Sequence, residues 1–123
     1  MAWKTIPAKS IKRNYAPTVR LKNGTVYLNT SAFEMLRKPK DEKCTYVRFL
    51  ENDSTKAVYI TQASAKEKDA IRIPVHSKGT KADLLEGFLK AKYGKVNKFI
   101  IDKTVINRDG NKTFMINPMT NGK

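Results

Sequence analysis

The clearest pattern of hydrophobic and polar positions in the chain surrounds Asn23-Gly24. Apolar residues alternate with polar ones before this pair, at Val19 and Leu21, and after it, at Val26 and Leu28. Such alternation predicts two strands that each have one apolar face. An Asn-Gly pair favours a two-residue type I′ turn, because both central positions of that turn need positive φ. We therefore predict a β-hairpin whose opposite face carries Arg20, Lys22, Thr25 and Tyr27.

A short helix and a second hairpin are predicted after the first hairpin. Ala32, Met35 and Leu36 have the i, i+3, i+4 spacing of an apolar helical stripe. Glu34 lies three residues after Ser31, which is the spacing of a capping box. The candidate N-cap residues are Asn29, Thr30 and Ser31. The second hairpin consists of a strand over Thr45–Leu50, a turn at Asn52-Asp53-Ser54 and a strand over Ala57–Ile60.

Residues 71–116 repeat this outline about 50 residues later along the chain. Ile71–Val75 is a short strand that Pro74 places at a sheet edge or at a strand end. Thr80 and Asp83 have capping-box spacing ahead of a longer helix, which Gly94 ends. The remaining predicted elements are a strand over Lys98–Ile106, a turn at Asp109-Gly110 and a strand over Thr113–Ile116.

These elements predict one compact α+β domain, mostly β, in which a small barrel is built from two pseudo-repeated strand–helix–hairpin units. One unit has a short helix and the other a longer one. Neither unit can bury both of its faces, so each supplies the partner that the other lacks, as a monomeric pseudo-dimer or within a homodimer. The predicted segments are a basic arm (1–17), the first unit (18–61), a linker (62–70), the second unit (71–117) and a flexible tail (118–123).

The charge balance indicates an anionic partner. The chain has 25 Lys and Arg residues against 11 Asp and Glu residues, a net charge of +14. Each half carries +7, with 12 basic and 5 acidic residues in 1–62 and 13 and 6 in 63–123, so the charge belongs to a surface and not to a tail. This excess is larger than the net charge of about 2–8 that is usual for a small domain. Nucleic acid is the first candidate partner, and solubility is the alternative reason for the charge.

Candidate nucleic-acid contacts fall in three places. The arm combines cations with a tyrosine, which suits phosphate contact and stacking, although the same segment is equally consistent with a packed extended arm. Cations and a tyrosine also lie on the polar faces of the predicted strands, and a basic loop follows the first helix. The residues are Lys9, Lys12, Arg13 and Tyr15 in the arm, Arg20, Lys22, Tyr27 and Arg48 on the strands, and Arg37, Lys38 and Lys40 in the loop. Further lysines surround the second helix at Lys81, Lys90, Lys92, Lys95 and Lys98.

No motif for catalysis or for a cofactor is present. His76 is the single histidine and Cys44 the single cysteine, so a histidine-based metal cluster and an intrachain disulfide are both excluded. A lone thiol at the start of a strand is typical of a small packing residue. We therefore expect a non-enzymatic protein without metal or cofactor. No apolar run is long enough to cross a membrane or to act as a secretion signal, which favours the cytoplasm, or a host cytoplasm or virion for a phage protein.

The first half resembles the AbrB/SpoVT/MazE-like swapped-hairpin domain. The resemblance lies in the order and spacing of its motifs: Val19-Arg20, Asn23-Gly24, Val26–Asn29, Ala32–Leu36, Lys40-Asp41-Glu42, Tyr46–Phe49, Glu51–Ser54 and Val58–Ile60. It implies a barrel of interleaved hairpins that binds DNA through basic residues of strands and loops. Arg20 is the basic position that carries over, with Arg37 and Lys38 near the helical arginine pair of the family. In the second half the match is limited to Ile73-Pro74 and the closing hairpin.

The sequence thus favours a non-enzymatic nucleic-acid-binding protein, with DNA ahead of RNA, that contacts backbone phosphates as a bacterial or phage transcription regulator does. Lysine outnumbers arginine, which favours phosphate contact over reading of base edges. The alternative is a structural or protein-binding module, such as a virion component or an inhibitor that docks on an acidic host protein.

Overall fold

The computed structural model describes residues 2–3, 16–40 and 43–119, which form nine strands and two helices within these ranges. The first half contains β1 (Thr18–Lys22), β2 (Thr25–Leu28), α1 (Thr30–Leu36), β3 (Cys44–Glu51) and β4 (Val58–Gln62). The second contains β5 (Ile71–Pro74), β6 (Gly79–Lys81), α2 (Asp83–Tyr93), β7 (Lys98–Ile101), β8 (Ile106–Arg108) and β9 (Asn111–Pro118).

All strands join one antiparallel sheet that curls into a nearly closed barrel. The strand order is β5-β3-β4-β9-β7-β1-β2-β6, with β8 paired to β9 outside this path. The two end strands, β5 and β6, are consecutive in the chain and joined by a short turn, in which the Lys78 amide donates to the Pro74 carbonyl at 2.8 Å. The connection brings the two edges of the sheet together. The prediction of a small, mostly β barrel with two helices is therefore confirmed.

The barrel interior contains the apolar face predicted from the alternating pattern. Val19, Leu21, Val26 and Leu28 are all buried, because successive side chains of a strand point to opposite faces. The two halves both contribute to this interior: the first half adds Phe33 and Ile60, and the second half adds Leu89, Phe99 and Phe114. Cys44, at the start of β3, is also buried, as expected of a small packing residue, but it is not part of this core cluster.

Two predicted hairpin turns are confirmed. Asn23 and Gly24 have φ values of 51° and 79°, and Asp109 and Gly110 have φ values of 50° and 82°. Positive φ at both central positions is the requirement of a type I′ turn, which explains the Asn-Gly and Asp-Gly pairs. The first turn joins β1 to β2 and the second joins β8 to β9.

The first helix begins after Asn29, one of the three candidate caps. The Asn29 Oδ1 accepts a hydrogen bond from the Ala32 amide at 2.8 Å. The predicted capping box between Ser31 and Glu34 is wrong. Asn29 is the N-cap, so Ser31 lies inside the helix and does not cap it. Glu34 is exposed and pairs with Arg37 at 3.0 Å.

The second helix begins without a side-chain cap. Its N-cap is Ala82, and Thr80, which was predicted to cap it, belongs to β6 and pairs with Val26 of β2. The capping prediction is therefore wrong, because a strand pairing uses the residue instead. At the other end the predicted glycine stop is confirmed: Gly94 has a φ of 75° and its amide donates to the Lys90 carbonyl at 2.8 Å.

The single strand predicted over Lys98–Ile106 is two strands, β7 and β8. Between them Asp102 Oδ1 accepts a hydrogen bond from the Thr104 amide at 2.8 Å, the kind of local turn that aspartate favours. The break lets β8 fold back onto β9 while β7 stays in the barrel.

Gln62, predicted as the first residue of the linker, is the buried end of β4. Its Nε2 donates to the last helical carbonyl of α1, at Leu36, and its Oε1 accepts from the Lys112 amide of β9. This side chain therefore ties the first helix to a strand of the second half.

Candidate nucleic-acid interface

Arg20 is at the centre of a row of side chains on the outer face of the barrel. It pairs with Tyr27 of β2 on one side and with Lys98 of β7 on the other. Arg20 and Lys98 are exposed, because the alternate positions on their strands, Val19 and Phe99, point into the core. The row therefore presents two cations and an aromatic ring on three adjacent strands.

The Tyr27 ring positions the guanidinium of Arg20. The Arg20 Cζ lies 5.1 Å from the centroid of the ring, within the range of a cation–π contact. On the other side Tyr27 pairs with Gly79 of β6, and any side chain at Gly79 would collide with atoms of the ring. The ring thus lies against the backbone of β6, which limits its movement and that of the guanidinium above it.

This row forms one wall of an open groove of about 640 Å³. Lys78, from the turn between β5 and β6, lines the groove as a third cation. Its Nζ donates to the Val75 carbonyl at 3.0 Å and lies 5.8 Å from the Phe33 ring, so this side chain also holds the turn. The other polar residues that line the groove are Thr18, Asn29, Thr30, Ser31 and Ser77.

The groove contains cations without carboxylates. None of the described residues that line it is an Asp or a Glu. Within the described part of the chain, Arg20 and Lys98 form no ion pair, whereas other surface cations do: Arg48 with Glu67 at 3.3 Å and Lys92 with Glu51 at 2.8 Å. The positive charge of the groove is therefore not neutralised by the described residues around it.

The other predicted contacts on strands and loops lie away from this groove. Lys22 is exposed at the far end of β1, in a depression that also contains Lys95. Arg48 is half-buried and paired with Glu67. Arg37, half-buried beside α1, pairs with Glu34, and the connector after it contains the half-buried Lys38 and the exposed Lys40. Lys9, Lys12, Arg13 and Tyr15 lie outside the described residues.

The alternating pattern of β1 and β2 predicts that Arg20 and Tyr27 share one face, but it does not predict that Lys78 and Lys98 lie beside them. Lys98 was predicted as one lysine among several around the second helix, and Lys78 was not among the candidate contacts. Both reach the groove through contacts between the halves, the β1–β7 pairing and the turn before β6. No local signal in the sequence specifies those contacts.

The described residues contain no arrangement that indicates catalysis. Cys44 is buried while His76 is exposed in the turn after β5, and no three His, Cys, Asp or Glu side chains in the described ranges form a group that could hold a metal ion. The pKa of Glu51 is lowered by its hydrogen bond to Lys92, and the pKa of Asp102 by the hydrogen bond from the Thr104 amide. Both carboxyls lie outside the groove.

Comparison with known proteins gives no relative: no family model, curated protein or solved structure matches the chain. Neither helix in the described residues has the length and apolar character needed to span a membrane.

Proposed function

We propose that this protein is a non-enzymatic nucleic-acid-binding protein, with DNA as the favoured ligand, that contacts backbone phosphates in the groove lined by Arg20 and Lys98. The observation that carries the proposal is the pairing of these two cations on adjacent strands with no carboxylate among the described residues of the groove. Such a role fits a bacterial or phage regulator that acts in the cytoplasm.

Two like charges at facing positions of a sheet repel each other and destabilise the fold. Arg20 and Lys98 occupy such positions, and a bound phosphate lying between them would offset the repulsion. Arginine offers a planar set of donors that matches a phosphate, while lysine acts as a compact charge. The contact of Arg20 with Tyr27 directs the guanidinium before the ligand arrives.

We also propose that the barrel consists of two pseudo-repeated units, as in the swapped-hairpin family that the first half resembles. The ladders support a constant offset of 54 residues. In the first unit Val47 pairs with Gln62, and in the second unit Ile101 pairs with Ile116. Each residue of the second pair lies 54 positions after the corresponding residue of the first (47 to 101 and 62 to 116). The same offset relates the pairs that join the two units. Thr18 pairs with Ile100, and the residues equivalent to them, Arg72 and Tyr46, also pair with each other (18 to 72 and 46 to 100).

A two-fold relation between the units further supports this proposal. When a two-fold axis relates the two strands of an antiparallel ladder, the residue at the axis pairs with the equivalent residue of the other unit. Val26 pairs with Thr80 and Ile60 pairs with Phe114, and both pairs are 54 positions apart (26 to 80 and 60 to 114). DNA is favoured over RNA as the ligand because the family that the first half resembles binds DNA.

The proposal is tested by the salt dependence of DNA binding. Fluorescence anisotropy of labelled duplex DNA, with labelled RNA in parallel, would be recorded for the wild-type chain over a series of salt concentrations. Each duplex phosphate contact contributes a slope of about 0.9 in log affinity against log salt. We expect the double variant Arg20→Ala/Lys98→Ala to bind more weakly and to lose roughly 1.8 of that slope.

The matched control is Lys66→Ala/Lys103→Ala, which removes two exposed cations outside the groove and gives the same net charge. A wild-type affinity that does not change with salt, or equal weakening in both double variants, would contradict phosphate binding in the groove. Absence of any binding to nucleic acid would overturn the proposal and leave the protein-binding module as the candidate to test next.

A further inference from the structure

Helix α2 has a second apolar face that points away from the barrel. Leu85, Leu89 and Tyr93 pack towards the core. On the opposite side Leu84 is 92% exposed and Phe88 is 43% exposed. A surface helix ordinarily carries charged residues on its outer side, and a helix that is apolar on two sides is ordinarily covered on both.

The outer residues form a continuous stripe. Leu84, Gly87, Phe88 and Ala91 follow the i, i+3, i+4, i+7 spacing of one helical face, and all four are exposed. Space is open above Gly87, where an added Cβ would meet no atom within 4 Å. The stripe therefore combines two large side chains with a shallow notch at its centre, a shape that suits the close approach of another helix.

The charges beside the stripe are self-complementary. Asp83 and Lys90 are seven residues apart, two helical turns, so they lie on the same flank at opposite ends of the stripe. Their side chains are 73% and 54% exposed. Within the chain, Asp83 lies 3.8 Å from the exposed Lys81, and Lys90 lies 3.3 Å from Glu86, whose side chain is 13% exposed.

We infer that this face is the contact between two copies of the chain. In a two-fold antiparallel pair of α2 helices, equivalent flanks meet with their ends reversed. Asp83 of one copy then lies beside Lys90 of the other, twice over. The two Gly87 positions lie near the axis, because the midpoint of 83–90 falls between positions 86 and 87. Leu84 and Phe88 of each copy then pack beside the notch of the other.

The small size of the face determines the strength of the contact. Stable protein interfaces bury roughly 1,200 Å² or more in total, and four residues from one helix of each copy provide less than that. The dimer is therefore weak and depends on protein concentration. This contact is made by helix α2 and does not involve the proposed DNA groove, whose row of side chains lies on β1, β2 and β7.

The inference is tested by sedimentation equilibrium of the full chain over a concentration series at physiological ionic strength. We expect a reversible monomer–dimer equilibrium for the wild-type protein. For the variant Leu84→Gln/Phe88→Gln, the dissociation constant of the dimer should rise roughly tenfold or more, because the apolar contact is lost. The control Val105→Gln, at another exposed apolar residue, should dimerise as the wild type does.

Charge reversal identifies the partner as a second copy. Asp83→Lys leaves two cations on the flank and Lys90→Glu leaves two anions, so each variant alone should be monomeric through repulsion across the axis. An equal mixture of the two variants should regain the dimer, since each cation then faces an anion. Circular dichroism of each variant checks that the fold is intact.

A wild-type chain that stays monomeric over the whole series would overturn the inference. A mixture of the folded charge variants that fails to associate, or a dimer that survives Leu84→Gln/Phe88→Gln, would do the same. These outcomes concern self-association alone, so they leave the DNA proposal to its own test.

Discussion

At the scale of single residues, the side chain of Asn29 joins the first turn of α1 to the segment Ala16–Thr18 that leads into β1. Its Oδ1 accepts hydrogen bonds from the Ala32 amide at 2.8 Å and from the Thr18 amide at 3.1 Å, and its Nδ2 donates to the Ala16 carbonyl at 2.8 Å. One amide side chain therefore caps α1 and fixes the entry of the chain into β1. It also lines the groove beside Arg20.

We expect Asn29→Ala to lower the free energy of unfolding by about 2 kcal/mol, because a cap is lost and partly buried backbone groups are left without a partner. Asn29→Asp is the matched control. A carboxylate keeps both acceptor contacts and loses only the donor to Ala16, so its cost should be smaller. Urea denaturation of the three proteins measures the difference, and an equal loss in both variants would show that the two acceptor contacts contribute nothing.

The sequence predicts only some of the side chains that line the groove. Alternation in β1 and β2 places Arg20 and Tyr27 on one outer face, and that placement follows from strand geometry alone. Arg48 follows the same rule on β3, yet a glutamate from the connection after β4 pairs with it. Whether a cation is free for a ligand depends on such contacts between distant segments, which the local pattern does not contain.

At the scale of elements, α2 is fastened to the barrel by an ion pair as well as by its buried face. Lys92 Nζ donates to Glu51 Oε2 at 2.8 Å and joins the helix to the end of β3. This hydrogen bond, together with the charges of Lys92 and Lys56, lowers the pKa of Glu51 from its ordinary value of 4.5. A carboxyl with a lowered folded pKa stabilises the fold above its unfolded pKa and loses that contribution as the pH falls through the folded value.

We therefore expect Glu51→Gln to be less stable than the wild type at neutral pH, with a difference that vanishes as the pH falls well below 4.5. The sign follows from protonation, because an uncharged Glu51 gains nothing from Lys92 that a glutamine lacks. Urea denaturation at a series of pH values measures the difference. In a Lys92→Met background the effect of Glu51→Gln should be much smaller, and an unchanged effect there would assign the stabilisation to another partner.

The elements that could be predicted are those whose signals are local. Type I′ turns at Asn23-Gly24 and Asp109-Gly110 depend on backbone conformation at two adjacent residues, and both were predicted. The elements that were missed depend on distant partners. Thr80 reads as a helix cap by its spacing to Asp83, but pairing with Val26 makes it part of β6. Residues of β8 read as a continuation of β7 until the turn at Asp102 redirects them.

At the scale of the whole molecule, the two halves are interleaved. Among the described residues, four ladders join one half to the other: β1–β7, β2–β6, β3–β5 and β4–β9. The core likewise mixes Phe33 and Ile60 with Leu89, Phe99 and Phe114. Neither half therefore has an apolar face that it can bury alone, and the groove itself takes Arg20 from one half and Lys98 from the other.

This interleaving predicts the behaviour of the chain when it is cut between Lys68 and Asp69, in the exposed connection from β4 to β5. Fragments 1–68 and 69–123 should each lack a stable fold, because each leaves its strand edges and its core face uncovered. An equimolar mixture should regain the circular dichroism and the cooperative unfolding of the barrel. DNA binding that depends on Arg20 and Lys98 should return only in that mixture, since Arg20 lies in fragment 1–68 and Lys98 lies in fragment 69–123. If fragment 1–68 folds alone with cooperative unfolding, the first half does not need the second, and the interleaved barrel is not the unit of folding.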